Sequence, residues 1–189
     1  MTGSDRTPVR PLPPGVVLRT ERPTDVDGIS AVVEAAFASA PHAALVAAIR
    51  ASPAFEPELS VVAVDGAEVV GHVMISGVGL VGDDGVTRTV PSLSPLSVRP
   101  DHQAVGIGSA LVREVLARAG AAGHALVVLE GDPGYYSRLG FEASGPHGIA
   151  IDLPSWAPPE AAQVAVLATP DPRLRGRIAY PPAFALVEE

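Results

Sequence analysis

The sequence contains no cysteine, so disulfides, thiolate zinc sites and thiol nucleophiles are excluded. It contains no lysine either; all thirteen basic residues are arginine. That removes a Schiff-base amine and the lysine of a Walker phosphate loop. No apolar run approaches the ~18–20 residues that cross a bilayer. The start of the chain lacks the basic and apolar regions of a signal peptide. A formal charge of −8 argues against a general nucleic-acid surface, which needs a basic face to displace counterions. These absences lead to the expectation of a cytoplasmic protein with no membrane partner, no nucleic-acid partner and no metal.

With 189 residues and an apolar fraction of 47%, the chain suffices for one domain with a substantial core. Residues 1–14, rich in proline and small polar side chains, read as a flexible tail, and 15–189 as the domain. Val16–Arg19 predicts a first strand. Thr24 offers an N-cap for a helix whose apolar stripe is Ile29, Val32, Val33, Ala36 and Phe37. A second helix is expected over His42–Arg50, stopped by Pro53 and Pro57. Leu59–Asp65 and Glu68–Ser76 predict a hairpin around Gly66. Val90–Val98 is the next strand, and Pro95, which cannot donate to a ladder, predicts a bulge or a parting from a neighbour. Short runs at Ile149–Leu153, Gln163–Ala168 and Gly176–Tyr180 predict terminal strands. The order implies an α/β fold, a single domain on a mixed sheet with one parallel crossover.

The most informative stretch is Ser94 to Phe141. Gly106 and Gly108 allow a tight bend and close backbone approach to a ligand. A helix follows at once, with Ile107, Leu111, Val112, Val115 and Leu116 on one face and an i,i+4 pair of Glu114 and Arg118 opposite. Successive backbone N–H groups at a helix start favour an anion, most naturally a phosphate or pyrophosphate. A tight turn with no ligand explains the same glycines. A dinucleotide turn would want a small residue where Leu111 stands, although Glu130 lies at the distance expected of its acidic partner. Ala125–Leu129 is apolar on both faces, as a central parallel strand should be.

Gln103-Ala104-Val105-Gly106-Ile107-Gly108 resembles the Q/R-x-x-G-x-G/A pyrophosphate loop of the GNAT superfamily of N-acetyltransferases. Tyr136-Ser137-Arg138-Leu139-Gly140-Phe141 resembles that superfamily's Y-x-x-x-G-F segment. The Gly131-Asp132-Pro133 stretch before two tyrosines, with the late Tyr180-Pro181-Pro182, is similar to a bacterial subgroup of such proteins. The resemblance implies an acyl-CoA N-acyltransferase fold in which two parallel strands splay around acetyl-CoA. It implies that the backbone of Leu96, Ser97 and Val98 pairs with the pantetheine arm. Residues Gln103, Ala104, Val105, Gly106, Ile107, Gly108 and Ser109 would hold the pyrophosphate, and Tyr136 would protonate the departing thiolate.

A tyrosine hydroxyl, with an ordinary pKa near 10, suits the acid role. Glu130, at the carboxyl end of the central strand, is the first choice for a general base. Asp132, Glu56, Glu58, His42 and His72 are weaker candidates, and a water chain could serve instead. Tyr135 reads as structural, His102 as a loop residue near phosphate, and Trp156 as a rim residue. The expected partners are acetyl-CoA and an amine acceptor, with a homodimer as a further possibility. Two other classes stay open: a non-catalytic acyl-CoA-sensing domain on the same fold and a small nucleotide-cofactor oxidoreductase.

Overall fold

A computed structural model of the chain describes residues 10–169 and 171–187. The tail expected over 1–14 therefore lies largely outside the described residues. Of the part that is described, Leu12 packs on the apolar core and the Pro13 carbonyl accepts from the Val16 amide.

Strand β1 (Val16–Thr20) pairs antiparallel with β2 (Phe55–Asp65), and β2 with β3 (Glu68–Val81). Asp65 faces Glu68, which leaves Gly66 and Ala67 as a two-residue turn. Gly66 takes φ +59, the left-handed value such turns require. Between the Phe55 and Ser60 pairs the register shifts; Pro57, with no N–H to give, sits in that gap. The strand thus begins earlier than the alternation around Leu59 suggests. β3 pairs antiparallel with β4 (Thr87–Val98). The parallel crossover then runs through α3 (Ile107–Ala121) to β5 (Leu126–Glu130).

Two helices precede the hairpin, α1 (Val26–Phe37) and α2 (Ala40–Arg50). The expected Thr24 cap does not form. A 3-10 turn over Pro23–Asp25 comes first, and it is Asp25 that accepts from the Arg22 amide at 2.6 Å. Arg19 holds both oxygens of the same carboxylate at 2.6 and 2.9 Å. A second acidic residue, Glu21, sits in a polar cluster with Arg50, the last residue of α2. Arg50 donates to it through Nε at 2.7 Å and Nη2 at 3.0 Å, and the Ser60 hydroxyl donates as well. His72, fully buried, lies 3.0 Å from Ser60.

After β5 come a short helix, α4 (Pro133–Tyr136), and the strands β6 (Glu142–Ala143), β7 (Ile149–Ala150), β8 (Ala162–Val166) and β9 (Gly176–Ala179). The sheet runs β1-β2-β3-β4-β5-β8-β6, while β9 pairs with the far end of β3 and with β7. The strand expected over Ile149–Leu153 stops at Ala150, with Pro154 soon after. β6 is too short to show a periodicity in the sequence.

The sheet separates two apolar layers. One face carries Ile29, Val33, Leu45, Val46 and Ile49 from α1 and α2 against Val62, Met74, Val128 and Val164. The other carries Ile107, Leu111, Val112 and Val115 from α3 against Val61, Val73, Val127 and Leu129. Each such side chain contributes roughly 1.5–3 kcal/mol when buried. Both faces of β5 are therefore covered, in keeping with its uninterrupted apolar sequence.

Candidate active site

The parallel pair β4–β5 meets at one register position, Ser92 opposite Val128. Beyond it the strands part, and among the described residues no further β4–β5 pair forms. On the other side of β4, Leu93 pairs with Ile75 and Leu96 with Val73. Ser94 and Pro95 bulge between those two positions against the lone Met74 of β3. The sequence anticipated a bulge or a parting from a neighbour at Pro95, and the bulge lies there.

One cavity of about 540 Å³ opens at the start of α3. Leu96, Val98, Gln103, Ala104, Gly106, Gly108 and Ser109 line it. Of the remaining residues in the anticipated loop and strand, Ser97 and Ile107 are buried and Val105 packs on the α3-side core. The loop is held open by its own chain. Gln103 Nε2 donates to the Val98 carbonyl at 2.9 Å, and Gly106, at φ +101, is the helix N-cap. That residue offers no side-chain cap, so the first N–H groups of α3 face the cavity end with the positive pole of the helix.

Arginines gather around this cradle although the chain is acidic overall. Arg10, Arg113 and Arg138 line the cavity together with His102. Arg10 donates to the Ala104 carbonyl at 2.9 Å, and its aliphatic stem lies 3.4 Å from where a Cβ on Gly106 would be. Ala104 itself takes φ +59, a left-handed value unusual for a residue with a side chain. The cation at Arg10 was invisible in the sequence because it lies in a proline-rich stretch without periodicity.

The two adjacent tyrosines divide. Tyr135 lines the cavity, and its hydroxyl stands 2.7 Å from the position of a Cβ on Gly108. The Arg138 guanidinium lies 5.7 Å from its ring centre, close enough for a cation–π contact. Tyr136 instead packs edge-on against Phe141 and against Tyr135, with ring centres 5.6 and 5.0 Å apart. Its ring fills the space that a Cβ on Gly131 would need, beside the end of β5. Burial pushes the Tyr136 phenol well above its ordinary pKa, and the neighbouring Tyr135 and Asp132 push in the same direction. The group therefore stays protonated at neutral pH.

A second cavity, of about 780 Å³, opens where β4 and β5 begin to part. Ser92, Leu93, Ser94 and Glu130 form its floor, and Asp152, Leu153, Trp156, Tyr180, Phe184 and Val187 its walls. Glu130 is exposed at the strand end. The walls come from the loop that follows β7 and the segment that follows β9.

The weaker base candidates are accounted for elsewhere. Asp132 caps α4, accepting from Gly134 at 2.8 Å. Glu56 lies 3.1 Å from His124, and Glu58 accepts from the Thr20 hydroxyl. His42 stacks on Phe37, and His72 is sealed in the polar cluster under α2. His102 contacts Asp101 at 2.9 Å. Among the described residues no group of three or more His, Asp or Glu is placed to hold a metal ion. No helix among them is long and apolar enough to cross a membrane.

A mixed sheet with a parted parallel pair, a glycine-hinged loop and a helix start lined by arginines is the architecture of an acyl-CoA N-acyltransferase. The sequence profile of the acetyltransferase (GNAT) domain matches residues 18–144, and the chain belongs to the GNAT acetyltransferase family. It is 34% identical over 140 residues to the uncharacterized N-acetyltransferase YhbS of Escherichia coli, covering 74% of this chain and 81% of that protein. The crystal structure of YhbS in complex with CoA superposes with a TM-score of 0.79 at 32% identity, covering 90% of this chain and 92% of that one. A GNAT acetyltransferase from Brucella melitensis, solved in complex with acetyl-CoA, gives 0.72 at 34% identity over 89% and 97% of the two chains.

Proposed function

We propose that the protein transfers the acetyl group of acetyl-CoA to a primary amine by direct attack within a ternary complex. The observation that carries this reading is the pair of cavities on one parted β4–β5 seam. Leu96 and Val98 line the first, and Ser92, Leu93 and Ser94 the second. One strand thus borders both cavities. The complexes of the two relatives with CoA and acetyl-CoA support assigning the first cavity to the cofactor.

In this assignment the N–H groups from Gln103 to Ser109 bind the pyrophosphate at the positive pole of α3. Arg10, Arg113 and Arg138 supply the compensating charge. The backbone of Leu96, Ser97 and Val98 pairs with the pantetheine amides, filling the place of the missing rungs between β4 and β5. A β4 N–H near Val98 polarises the thioester carbonyl.

The amine arrives as an ammonium and gives one proton to Glu130, directly or through water. Its lone pair forms the C–N bond at the acetyl carbon. The tetrahedral intermediate then breaks the C–S bond, and the sulfur takes its proton from Tyr136. The second proton of the nitrogen passes through water to the Tyr136 phenolate, and Glu130 releases the first to solvent, leaving an amide and free CoA.

Calorimetry with acetyl-CoA, coupled to thiol release on a panel of amines, tests the reading. Binding with amine-dependent thiol release is expected. A folded protein that does not bind acetyl-CoA would overturn it, and binding without turnover on any amine would favour the sensing domain.

A further inference from the structure

We propose that the acceptor is a small primary amine carried on a flat apolar body, seated against Trp156, Tyr180 and Phe184. This rests on the acetyltransferase reading and names the acceptor class. Trp156 is 79% exposed, an unusual position for the largest apolar side chain, which is ordinarily well covered. It is not an isolated surface ring. It lines the second cavity together with Tyr180 and Phe184, whose ring centres lie 4.8 Å apart at an interplanar angle of 31°. Behind these rings, Leu153 and Val187 join the aliphatic core. The volume, about 780 Å³, falls within the roughly 300–1,000 Å³ typical of small-molecule sites.

The charges in the cavity decide between kinds of amine. Its carboxylates are Glu130 and Asp152, and no arginine or histidine lines it among the described residues. Asp152 is ion-paired with Arg177. Glu130 is the lining carboxylate that stands at the end of β5, where the two strands part. A polyamine would need further anions along the cavity to hold its other ammonium groups. The lining offers aromatic and aliphatic surface in their place. A single ammonium directed at Glu130, with its carbon body on the aromatic wall, satisfies both ends. The Trp156 face adds attraction for the same cation as it enters.

The test compares 2-phenylethylamine, ethanolamine and spermidine at saturating acetyl-CoA. Phenylethylamine is expected to exceed both others in kcat/KM by about tenfold or more. In W156A that advantage over ethanolamine is expected to fall to within about threefold, while W156F retains most of it. Calorimetry with acetyl-CoA on each variant separates the two levels of inference. Loss of acetyl-CoA binding in the wild type would sink the acetyltransferase reading itself. Binding of acetyl-CoA with spermidine as the better acceptor would sink the acceptor class alone. So would acetylation confined to peptide amines, or an aromatic preference unchanged in W156A.

Discussion

The two cavities beside the β4–β5 opening are made from different kinds of chain. The cavity assigned to the cofactor is built almost entirely from one contiguous stretch, Leu96 to Leu139, with Arg10 and the end of α1 laid against it. A glycine-hinged loop and three arginines line it. The cavity assigned to the acceptor draws on four separated stretches, around Ser92, Glu130, Trp156 and Phe184. Its surface is aromatic and aliphatic, and its charge is negative. A shared cofactor needs a fixed backbone cradle; a particular amine needs walls whose side chains can change without disturbing it. The molecule keeps these two demands in different pieces of sequence, with β4 as the common wall.

Substitutions that act on one side should leave the other intact, and the largest effect is expected at the loop. Gly106→Val places a branched side chain at φ +101, a strain of about 1–3 kcal/mol. It also blocks backbone contacts to a charged phosphate, each worth about 1.5–3 kcal/mol. The dissociation constant for acetyl-CoA should rise about 1,000-fold by calorimetry, with a thermal melt showing that the variant is folded. Retained affinity would remove this loop from the cofactor site.

Tyr136→Phe should lower kcat about 100-fold and shift acetyl-CoA affinity by no more than about twofold. Unchanged turnover would exclude Tyr136 as the acid. Because burial raises its pKa, the wild-type rate should show no basic limb from this group as the pH passes its ordinary value near 10.

A smaller effect tests the frame beneath the helices. Burial alone would raise the Glu21 carboxyl, but His72, Arg50 and Ser60 outweigh it and hold the group far below the ordinary carboxylate range. A carboxyl depressed in the folded state stabilises above its unfolded pKa, near 4.3, and loses that contribution as the pH falls towards the folded value. Glu21→Gln should therefore cost about 2 kcal/mol at pH 7 in urea unfolding. The gap to wild type should narrow steadily below about pH 4.3. A constant gap would show that packing, not charge, is at work.

The smallest change is expected for Arg10→Ala. It should weaken acetyl-CoA binding about fivefold and flatten its salt dependence, with the ranking of amines unchanged. An altered ranking would show that the two cavities are not independent.

The same contrast explains what could be read from the sequence. The α3 stripe, the doubly apolar β5 and the glycine hinge are local patterns, each carried by neighbouring residues, and Pro95 announced the bulge in β4. Tyr136 was singled out by the resemblance of its segment to the Y-x-x-x-G-F pattern, but only packing shows that Tyr135 is the tyrosine lining the first cavity. How the walls of the second cavity come together was not legible. Asp152, Tyr180 and Phe184 lie in short segments where proline interrupts any periodicity, and long-range folding alone assembles them. Trp156 was noticed as a rim residue, without the ring pair that gives it a role. The cluster of Glu21, Arg50, Ser60 and His72 joins four elements, and nothing in the spacing of these residues connects them.

The single backbone pair at Ser92 and Val128 has one more consequence. It divides the sheet into two leaves, β1 to β4 on one side and β5, β8 and β6 on the other, clamped by α3. A cofactor lying in the seam acts as a splint between them. If it binds only the assembled leaves, a concentration 100 times its dissociation constant adds about 2.7 kcal/mol to the folded state. Melting temperature then becomes a gauge of occupancy, and amide exchange along Leu93–Val98 should slow most when the splint is in place.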